Sequence, residues 1–198
     1  MSINSESVAV ITGAASGIGR ALSERFANEG IKGIAISDVD EDGLRETAEL
    51  VRHSGTPALI SKIDVTQLEE IERFADEIID EFGSATHLIN NAGVGLVGRT
   101  EEVSFEDMKW LMDINFWGTV YGTKVFLPIM RRQNMGHIVN ISSVFGLMAP
   151  PGQSTYCASK FAVRGFTESL RHELDGTNIS VSCVHPGGVR TNIAKSAK

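Results

Sequence analysis

The sequence predicts an α/β fold in which six strands form a doubly wound parallel sheet, in the order 3-2-1-4-5-6, with helices on both faces. Short apolar runs alternate with longer segments of helical periodicity, and strands separated by helices pair in parallel through right-handed crossovers. The first apolar run ends in a glycine-rich turn that opens a helix. With 198 residues, 42% of them hydrophobic, the chain is predicted to be one domain over residues 1–198.

Six short apolar runs are predicted to be buried parallel strands. They are residues 8–12, 33–37, 58–63, 87–90, 136–141 and 179–184. In the first run, Val8, Val10 and Ile11 lead to Thr12 and then directly to the glycine-rich turn.

Five segments between these runs are predicted to be helices. They are residues 17–30, 41–54, 67–82, 104–131 and 156–174. In the first segment, Ile18, Leu22 and Phe26 recur at the spacing that places them on one helical face.

Cap residues mark where several of these helices begin. Acidic residues after the second strand can cap the second helix, and Thr66 is predicted to cap the third. Ser104 and Asp107 are predicted to form a capping box at the start of the long fourth helix, and Pro128 is predicted to bend that helix near its end.

The composition disfavours several classes of partner. A net charge of −7 disfavours nucleic acid, since phosphate binding requires a basic surface. No apolar stretch approaches the roughly 20 residues of a membrane span, and the first residues lack the pattern of a signal peptide. The lack of such a stretch also means that no membrane partner is expected. Cys157 and Cys183 are too few for a disulfide framework, so a cytoplasmic protein is expected. The five histidines lack metal-ligand spacing, and no metal site is predicted.

The turn after the first strand has the spacing Gly13-x-x-x-Gly17-x-Gly19. Glycines let the backbone approach a pyrophosphate closely, and the following helix offers free N–H groups at the positive end of its dipole. A plain strand-to-helix turn is the alternative interpretation. The position of the turn directly after strand 1 favours a dinucleotide site.

Asp38 ends the second strand, nineteen residues after Gly19. A carboxylate there can accept hydrogen bonds from both adenosine ribose hydroxyls and would repel a 2′-phosphate. Ser16 and Val39 provide no basic residue to hold such a phosphate, so NAD is predicted in preference to NADP. Asp38 is also a candidate cap for the next helix, and the two roles are compatible.

Tyr156 and Lys160 are spaced by four residues, which places them one helical turn apart. A free tyrosine has a pKa near 10, and a nearby positive charge lowers that pKa. Lys160 and an oxidised nicotinamide would each supply such a charge, which would let Tyr156 act as general acid or base. Ser143, at the end of the fifth strand, can donate a hydrogen bond to a substrate oxygen.

Taken together, these features closely resemble the short-chain dehydrogenase/reductase family. The motifs that carry the resemblance are the glycine-rich turn at 12–19, Asn-Asn-Ala-Gly at 90–93, Asn115, Ser143, and the pair Tyr156 and Lys160. The resemblance implies a Rossmann fold and a catalytic group of Asn115, Ser143, Tyr156 and Lys160. It further implies that the Asn115 carbonyl holds a water that links to Lys160.

The resemblance also implies which residues surround the cofactor. Asp64 and Val65 would border the adenine ring, and the segment at 186–191 would hold the nicotinamide carboxamide. The asparagine side chains at 90–91 have either a binding role or a role in tying neighbouring strands together. The full predicted set is Gly13, Ser16, Gly17, Ile18, Gly19, Asp38, Asp64, Val65, Asn91, Ala92, Gly93, Tyr156, Lys160, Pro186, Gly187, Val189 and Thr191.

The predicted function is that of an oxidoreductase that transfers a hydride between NAD(H) and a small-molecule alcohol or ketone. A hydrophobic secondary alcohol is favoured, because the residues expected over the nicotinamide are apolar. These are Val94, Phe145, Leu147, Met148, Pro150 and Pro151. Two alternatives remain open: a 3-oxoacyl-thioester reductase of the same family, and a non-catalytic module that binds or senses NAD.

The resemblance finally implies that the C-terminal substrate loop and a seventh strand are missing, since the chain ends seven residues after Thr191. A truncated record, a missing C-terminal part and a functional short form are the alternatives. Without a seventh strand, strand 6 would be an exposed edge. A full-length form is expected to be a homo-oligomer, either a dimer or a tetramer.

Overall fold

A computed structural model describes residues 3–189 and 197–198 of the chain. Six parallel strands form one sheet in the order β3-β2-β1-β4-β5-β6, which confirms the predicted fold class. The strands are β1 (Val8–Thr12), β2 (Gly33–Asp38), β3 (Ala58–Lys62), β4 (His87–Asn90), β5 (Gly136–Ile141) and β6 (Ile179–Val184).

The helices lie between the strands as the sequence predicts, with small shifts at their ends. They are α1 (Gly17–Asn28), α2 (Glu41–His53), α3 (Leu68–Phe82), α4 (Phe105–Met112), α5 (Gly118–Gln133) and α6 (Ser154–Glu173). A single 3-10 turn, Val144–Gly146, follows β5.

The predicted helix over residues 104–131 is two α-helices joined by a π-helical turn, Asp113–Trp117. In this turn the N–H of Gly118 donates to the carbonyl of Asp113, five residues back. Pro128 lies inside α5, which continues to Gln133, so the bend predicted there stays a prediction. The π turn inserts one extra residue into the helix, a distortion common at functional sites.

Two predicted caps have different outcomes. Ser104 caps α4 by accepting from the N–H of Asp107 at 3.0 Å, whereas the Asp107 carboxylate accepts from the Ser104 hydroxyl at 2.8 Å and not from the Ser104 N–H, as the reciprocal half of the predicted capping box requires. Thr66 does not cap α3: the N-cap is Gln67, without a side-chain bond. Thr66 instead donates from both its N–H and its hydroxyl to the carboxylate of Asp64, because a short turn after β3 competes for these donors.

Each face of the sheet is covered by its own helices and its own core. On one face, Phe74 of α3 and Phe126 of α5 pack with alternate residues of β1, β4 and β5. On the other, Phe26 of α1 and Leu44 of α2 pack against the remaining strand residues. Phe74 and Phe126 are almost completely buried, which stabilises the fold by about 2 kcal/mol each. Among the helices of residues 3–189, none combines the length and the apolar character that a membrane crossing needs.

His87, on the central strand β4, is a buried histidine in this core. Its Nδ1 lies 2.9 Å from the Thr86 hydroxyl, and its Nε2 has no hydrogen-bond partner. His137, its register partner on β5, lies with its ring centroid 6.1 Å away. Burial, with a smaller contribution from the charge of His137, lowers the pKa of His87 from 6.5 to about 4.

We expect this histidine to make the fold acid-sensitive. The unfolded chain takes up a proton at His87 below pH 6.5, whereas the folded chain does so only near pH 4, so stability falls as the pH drops through that window. In His87→Leu, the loss of unfolding free energy between pH 7 and pH 5 should shrink by about 1–2 kcal/mol. Urea denaturation at the two pH values measures this. Replacement of the exposed His172 by Leu is the control, and an equal pH dependence in wild type and His87→Leu would contradict the assignment.

Candidate active site

A cleft of about 320 Å³ opens at the carboxyl ends of the strands, where the order of the sheet reverses between β1 and β4. This reversal point is where doubly wound sheets bind ligands. Most of the predicted cofactor residues line it: Gly13, Ser16, Gly17, Ile18, Asp38, Asp64, Val65, Asn91, Ala92, Gly93, Tyr156, Lys160, Pro186, Gly187 and Val189.

The glycine-rich turn between β1 and α1 forms a backbone-lined cradle at one end of this cleft. Gly13 has a φ of +66°, and a Cβ there would lie 2.7 Å from the Cα of Ala92. A Cβ at Gly19, which is behind the cleft wall, would collide with the carbonyl of Gly13. Ser16 is the N-cap of α1 and makes no side-chain cap bond, so the cradle presents unblocked N–H groups. These features fit the pyrophosphate of a dinucleotide.

Asn91 fastens the glycine-rich turn to the end of β4. Its side-chain amide donates to the carbonyls of Thr12 at 2.9 Å and Gly13 at 3.0 Å. In return, the Thr12 hydroxyl accepts from the N–H groups of Asn91 and Ala92. Of the two roles considered for the asparagine side chains, the amide of Asn91 therefore makes structural bonds, while its backbone lies at the cleft wall.

Asp38 lies at the end of β2, beside the same turn. One carboxylate oxygen accepts from the N–H of Ala15 at 3.0 Å and the other from the N–H of Asp40 at 3.1 Å. The cap of α2 is Asp40, which accepts from the N–H of Gly43, so the interpretation of Asp38 as that cap was wrong. The next residue, Val39, is 59% exposed. The carboxylate of Asp38 thus borders the cleft with no basic residue directly after it in sequence.

Ser143, Tyr156 and Lys160 meet at the other end of the cleft. The Ser143 hydroxyl lies close enough to the Tyr156 phenol to lower the pKa of that phenol. The ammonium of Lys160 is buried, lies 5.8 Å from the centroid of the Tyr156 ring, and donates to the carbonyl of Ile141 at 3.0 Å. Ser142 donates to the Lys160 carbonyl at 2.8 Å, so the hydroxyl of Ser142 is engaged in holding α6. Ser143 is therefore the serine beside the phenol, as predicted.

The electrostatics of this group differ from the prediction in one respect. Burial raises the pKa of Tyr156 above its usual value of 10, and the nearby Ser143 hydroxyl only partly offsets this. The ammonium of Lys160 donates to the Ile141 carbonyl, and its charge does not reverse this rise in the pKa of Tyr156. Burial also lowers the pKa of Lys160 itself, to about 8. The protein therefore holds a neutral phenol in front of a buried amine.

Asn115 lies in the π turn, behind the cleft wall. Its side-chain oxygen accepts from the N–H of Val94 at 2.8 Å, and its amide donates to the Val94 carbonyl at 3.0 Å and to Ser159 at 3.2 Å. Its backbone carbonyl accepts from the Thr119 hydroxyl at 3.2 Å. The side chain therefore joins the loop after β4 to α6, and the water relay at its carbonyl stays a prediction.

One predicted site residue is not described by the structure, and three residues that line the cleft were not predicted. Thr191, predicted to hold the carboxamide, lies outside the described residues. The sequence reasoning missed three cleft-lining isoleucines, Ile63, Ile114 and Ile141, each of which is next to or within two residues of a predicted site residue. Within residues 3–189 and 197–198, no group of three or more His, Cys, Asp or Glu side chains could hold a metal.

Comparisons with known proteins agree with this geometry. The sequence pattern of the family described as short chain dehydrogenase matches residues 7–198. A Mycobacterium tuberculosis protein named as an oxidoreductase, SadH, is 47% identical over 192 residues, covering 96% of this chain and 69% of its own length. The CLA biosynthesis dehydrogenase/reductase of Lactiplantibacillus plantarum is 37% identical over 191 residues, covering 95% of this chain and 66% of its own length.

Two solved structures have nearly the same backbone. A short-chain dehydrogenase/reductase from Burkholderia phymatum in complex with NAD is 41% identical, with a TM-score of 0.95, over 99% of this chain and 70% of that one. A single-residue variant of the actinorhodin polyketide ketoreductase with NADPH is 35% identical, with a TM-score of 0.93, over 98% of this chain and 76% of that one. The fold, the nicotinamide-nucleotide cleft and these matches together make this chain a member of the short-chain dehydrogenase family of oxidoreductases.

Proposed function

We propose that the protein is an NAD-dependent oxidoreductase that interconverts a hydrophobic secondary alcohol and the corresponding ketone. The observation that carries the proposal is the Tyr156 phenol, close to the Ser143 hydroxyl and backed by a buried Lys160, at the end of a cleft whose other end is a glycine cradle. This combination offers a proton donor, a hydrogen-bond donor and a dinucleotide site along one cleft.

The residues present fit a bound NAD. The cradle formed by Gly13, Gly17 and the start of α1 would hold the pyrophosphate, and Asp38 would accept from the ribose hydroxyls. The free oxygen lone pairs of Asp38 remain available for this, since each oxygen takes one backbone N–H. Asp64 and Val65 would flank the adenine. When bound, the nicotinamide would supply the two-electron chemistry, accepting a hydride from an alcohol or giving one to a ketone.

Tyr156 would move the proton in this reaction. In reduction of a ketone, its phenol donates a proton to the substrate oxygen, while the Ser143 hydroxyl hydrogen-bonds that oxygen as negative charge develops on it. In oxidation of an alcohol, Tyr156 takes the hydroxyl proton. Lys160, whose ammonium is buried, would return protons to Tyr156. The side chain of Asn115, in the π turn, lies near that ammonium.

The substrate is proposed to be apolar near its reacting carbon. Val94, Leu147 and Met148 lie on the loops after β4 and β5, and Phe145 stacks edge-on against Tyr156, with ring centroids 6.2 Å apart. Leu147 and Met148 are 51% and 55% exposed, which leaves apolar surface free at this end of the molecule. Such surface favours an uncharged substrate.

Ketoreduction with NADPH is a second candidate. It is favoured by the likeness to the actinorhodin polyketide ketoreductase with NADPH. The Asp38 carboxylate opposes it, because its charge would repel the 2′-phosphate of NADPH. The two candidates therefore differ first in the cofactor that the protein prefers.

We further propose that residues 1–198 act as one nucleotide-binding domain that carries the catalytic residues. We also propose that the protein works as a homo-oligomer in the cytoplasm, on small-molecule substrates. Both cysteines, Cys157 and Cys183, are free thiols, which suits a reducing compartment. Sedimentation of the purified chain would test the oligomeric state, and cell fractionation would test the cytoplasmic location.

Removal of the phenolic hydroxyl tests the role of Tyr156. Tyr156→Phe should lower turnover of a secondary alcohol by a factor of about 10² or more, because the proton has no other carrier at that position. The dissociation constant for NAD should change by less than about twofold, since hydrogen bonds along the cradle and Asp38 are untouched. Absorbance at 340 nm and titration calorimetry measure the two quantities. Tyr121→Phe, which removes the other tyrosine hydroxyl, is the matched control, and an active Tyr156→Phe would refute the assignment.

The raised pKa of Tyr156 predicts opposite pH dependences for the two directions. At neutral pH the buried phenol keeps its proton, so it is ready to donate in ketone reduction and must lose that proton before it can act in alcohol oxidation. Between pH 6 and pH 10, kcat/KM for oxidation should rise, while kcat/KM for reduction should stay nearly constant and fall only as the pH nears the raised pKa of Tyr156. Initial rates in both directions across this range are the measurement, and parallel profiles would be inconsistent with a tyrosine acid/base.

Cofactor preference tests the role of Asp38. Asp38→Ala combined with Val39→Arg removes the repelling carboxylate and adds a cation, so the NAD/NADP ratio of kcat/KM should fall by a factor of about 10 or more. Dissociation constants for both nucleotides provide a readout that does not need turnover. Asp42→Asn, which removes a nearby exposed carboxylate on α2, should leave the ratio unchanged. An unaltered ratio in the double variant would show that Asp38 does not select the nucleotide.

A further inference from the structure

The segment that carries Ser143 is held in place by the chain that follows β6. The N–H of Ser142 donates to the carbonyl of Val184 at 2.8 Å, and the N–H of Val144 donates to the carbonyl of Pro186 at 2.9 Å. These two bonds flank Ser143 on either side and extend the pairing of β5 with β6 past the ends of both strands.

A side chain adds a third bond at Ser143 itself. Nδ1 of His185 lies 3.0 Å from the Ser143 carbonyl oxygen, which also accepts from the N–H of Gly146 at 2.8 Å. Since a carbonyl oxygen only accepts, Nδ1 must carry the proton, and this fixes the tautomer of a neutral His185. Because Pro186 follows it, the backbone of His185 is biased away from the α-helical region.

The Ser143 hydroxyl is oriented by the same segment. It accepts from the N–H of Phe145 at 3.1 Å and lies close to the phenol of Tyr156. The direction of the Ser143 hydroxyl therefore depends on the orientation of the peptide groups from 143 to 146. The bond from His185 holds the first of these peptide groups through the Ser143 carbonyl. If that bond is lost, the N–H of Gly146 is the remaining donor to the Ser143 carbonyl.

We propose that His185 is a positioning residue for the catalytic serine: its Nδ1–H holds the Ser143 carbonyl and thereby aims the Ser143 hydroxyl at Tyr156 and at the substrate oxygen. The inference rests on the proposed function. The histidine couples the chain after β6, whose Pro186, Gly187 and Val189 line the nucleotide side of the cleft, to the group that handles the proton.

The test compares three substitutions at His185. Asparagine places its amide nitrogen on Cγ, where the imidazole has Nδ1, so His185→Asn can restore the bond. Glutamine places its amide one atom farther out, and alanine has no donor, so neither restores it. His185→Ala and His185→Gln should lower kcat about five- to tenfold, the usual effect of one hydrogen bond. His185→Asn should stay within about twofold of wild type, and KM for NAD should be unchanged in all three.

Hydrogen exchange supplies a readout that needs no turnover. Amides of residues 144–146 should exchange at least about threefold faster in His185→Ala and His185→Gln than in wild type or His185→Asn. Urea denaturation separates local loosening from a general loss of stability. The inference is overturned if His185→Ala keeps wild-type kcat and exchange, or if His185→Asn is as impaired as His185→Ala.

Ser143→Ala separates this inference from the proposed function. If Ser143→Ala keeps full turnover, the proposed role of Ser143 fails, whatever the His185 variants do. If Ser143→Ala loses turnover and His185→Ala does not, only the positioning role of His185 fails. If the wild-type chain shows no turnover with any alcohol or ketone, the proposed function fails, and exchange at 144–146 still decides whether His185 holds the segment.

Discussion

The site depends on a reciprocal tie between the end of β5 and the helix α6. The side chain of Lys160 donates to the carbonyl of Ile141, and the carbonyl of Lys160 accepts from the hydroxyl of Ser142. One helical residue is thus fixed both through its side chain and through its backbone. Tyr156, one turn earlier on α6, is placed beside Ser143 as a consequence. Burying an ammonium is costly, as the low pKa of Lys160 indicates, so this arrangement sacrifices some stability for geometry.

Close contacts around Lys160 join the loop after β4 to the end of the cleft that holds Ser143 and Tyr156. A Cβ at Gly93 would lie 3.2 Å from the side-chain oxygen of Asn115 and 3.4 Å from the Lys160 ammonium. A Cβ at Gly146 would collide with the hydroxyl of Ser142. Both positions therefore favour glycine for reasons of space. The loop after β4, the π turn, β5 and α6 meet here so closely that a displacement of any one of them would move the amine relative to the phenol.

Much of the fold was predictable because it depends on local patterns. Six apolar runs separated by amphipathic segments leave few topologies other than a doubly wound sheet, and the strands lie where those runs are. The errors occur where a distant or competing partner decides. Thr66 has the right residue type for a cap, but the carboxylate of Asp64 takes its donors. Asn115 is a poor residue for the middle of a helix, but this propensity does not predict a π turn or the bonds of its side chain to the Val94 loop and to Ser159.

The same distinction holds for the site. Glycine spacing and the order of motifs along the chain predicted which residues line the cleft, because the carboxyl ends of parallel strands meet at one edge of a sheet. The sequence predicted less well which neighbour each hydroxyl or carboxylate bonds to. Asp38 and Asp40 are two residues apart and chemically identical, yet one borders the cleft and the other caps α2. The bond of His185 to Ser143 joins residues 42 positions apart, beyond the reach of any local pattern.

The charges at the phenol are the clearest case in which spacing alone misleads. Four residues on a helix bring two side chains to the same face, which suggests that an ammonium at 160 acts directly on a phenol at 156. The ammonium instead turns to a backbone carbonyl of β5, and the phenol responds mainly to its own burial. At pH 7 the pair is therefore a largely protonated amine behind a neutral phenol. Such a pair holds one proton on the phenol and a second on the amine behind it, and positive charge brought into the cleft would favour the phenolate.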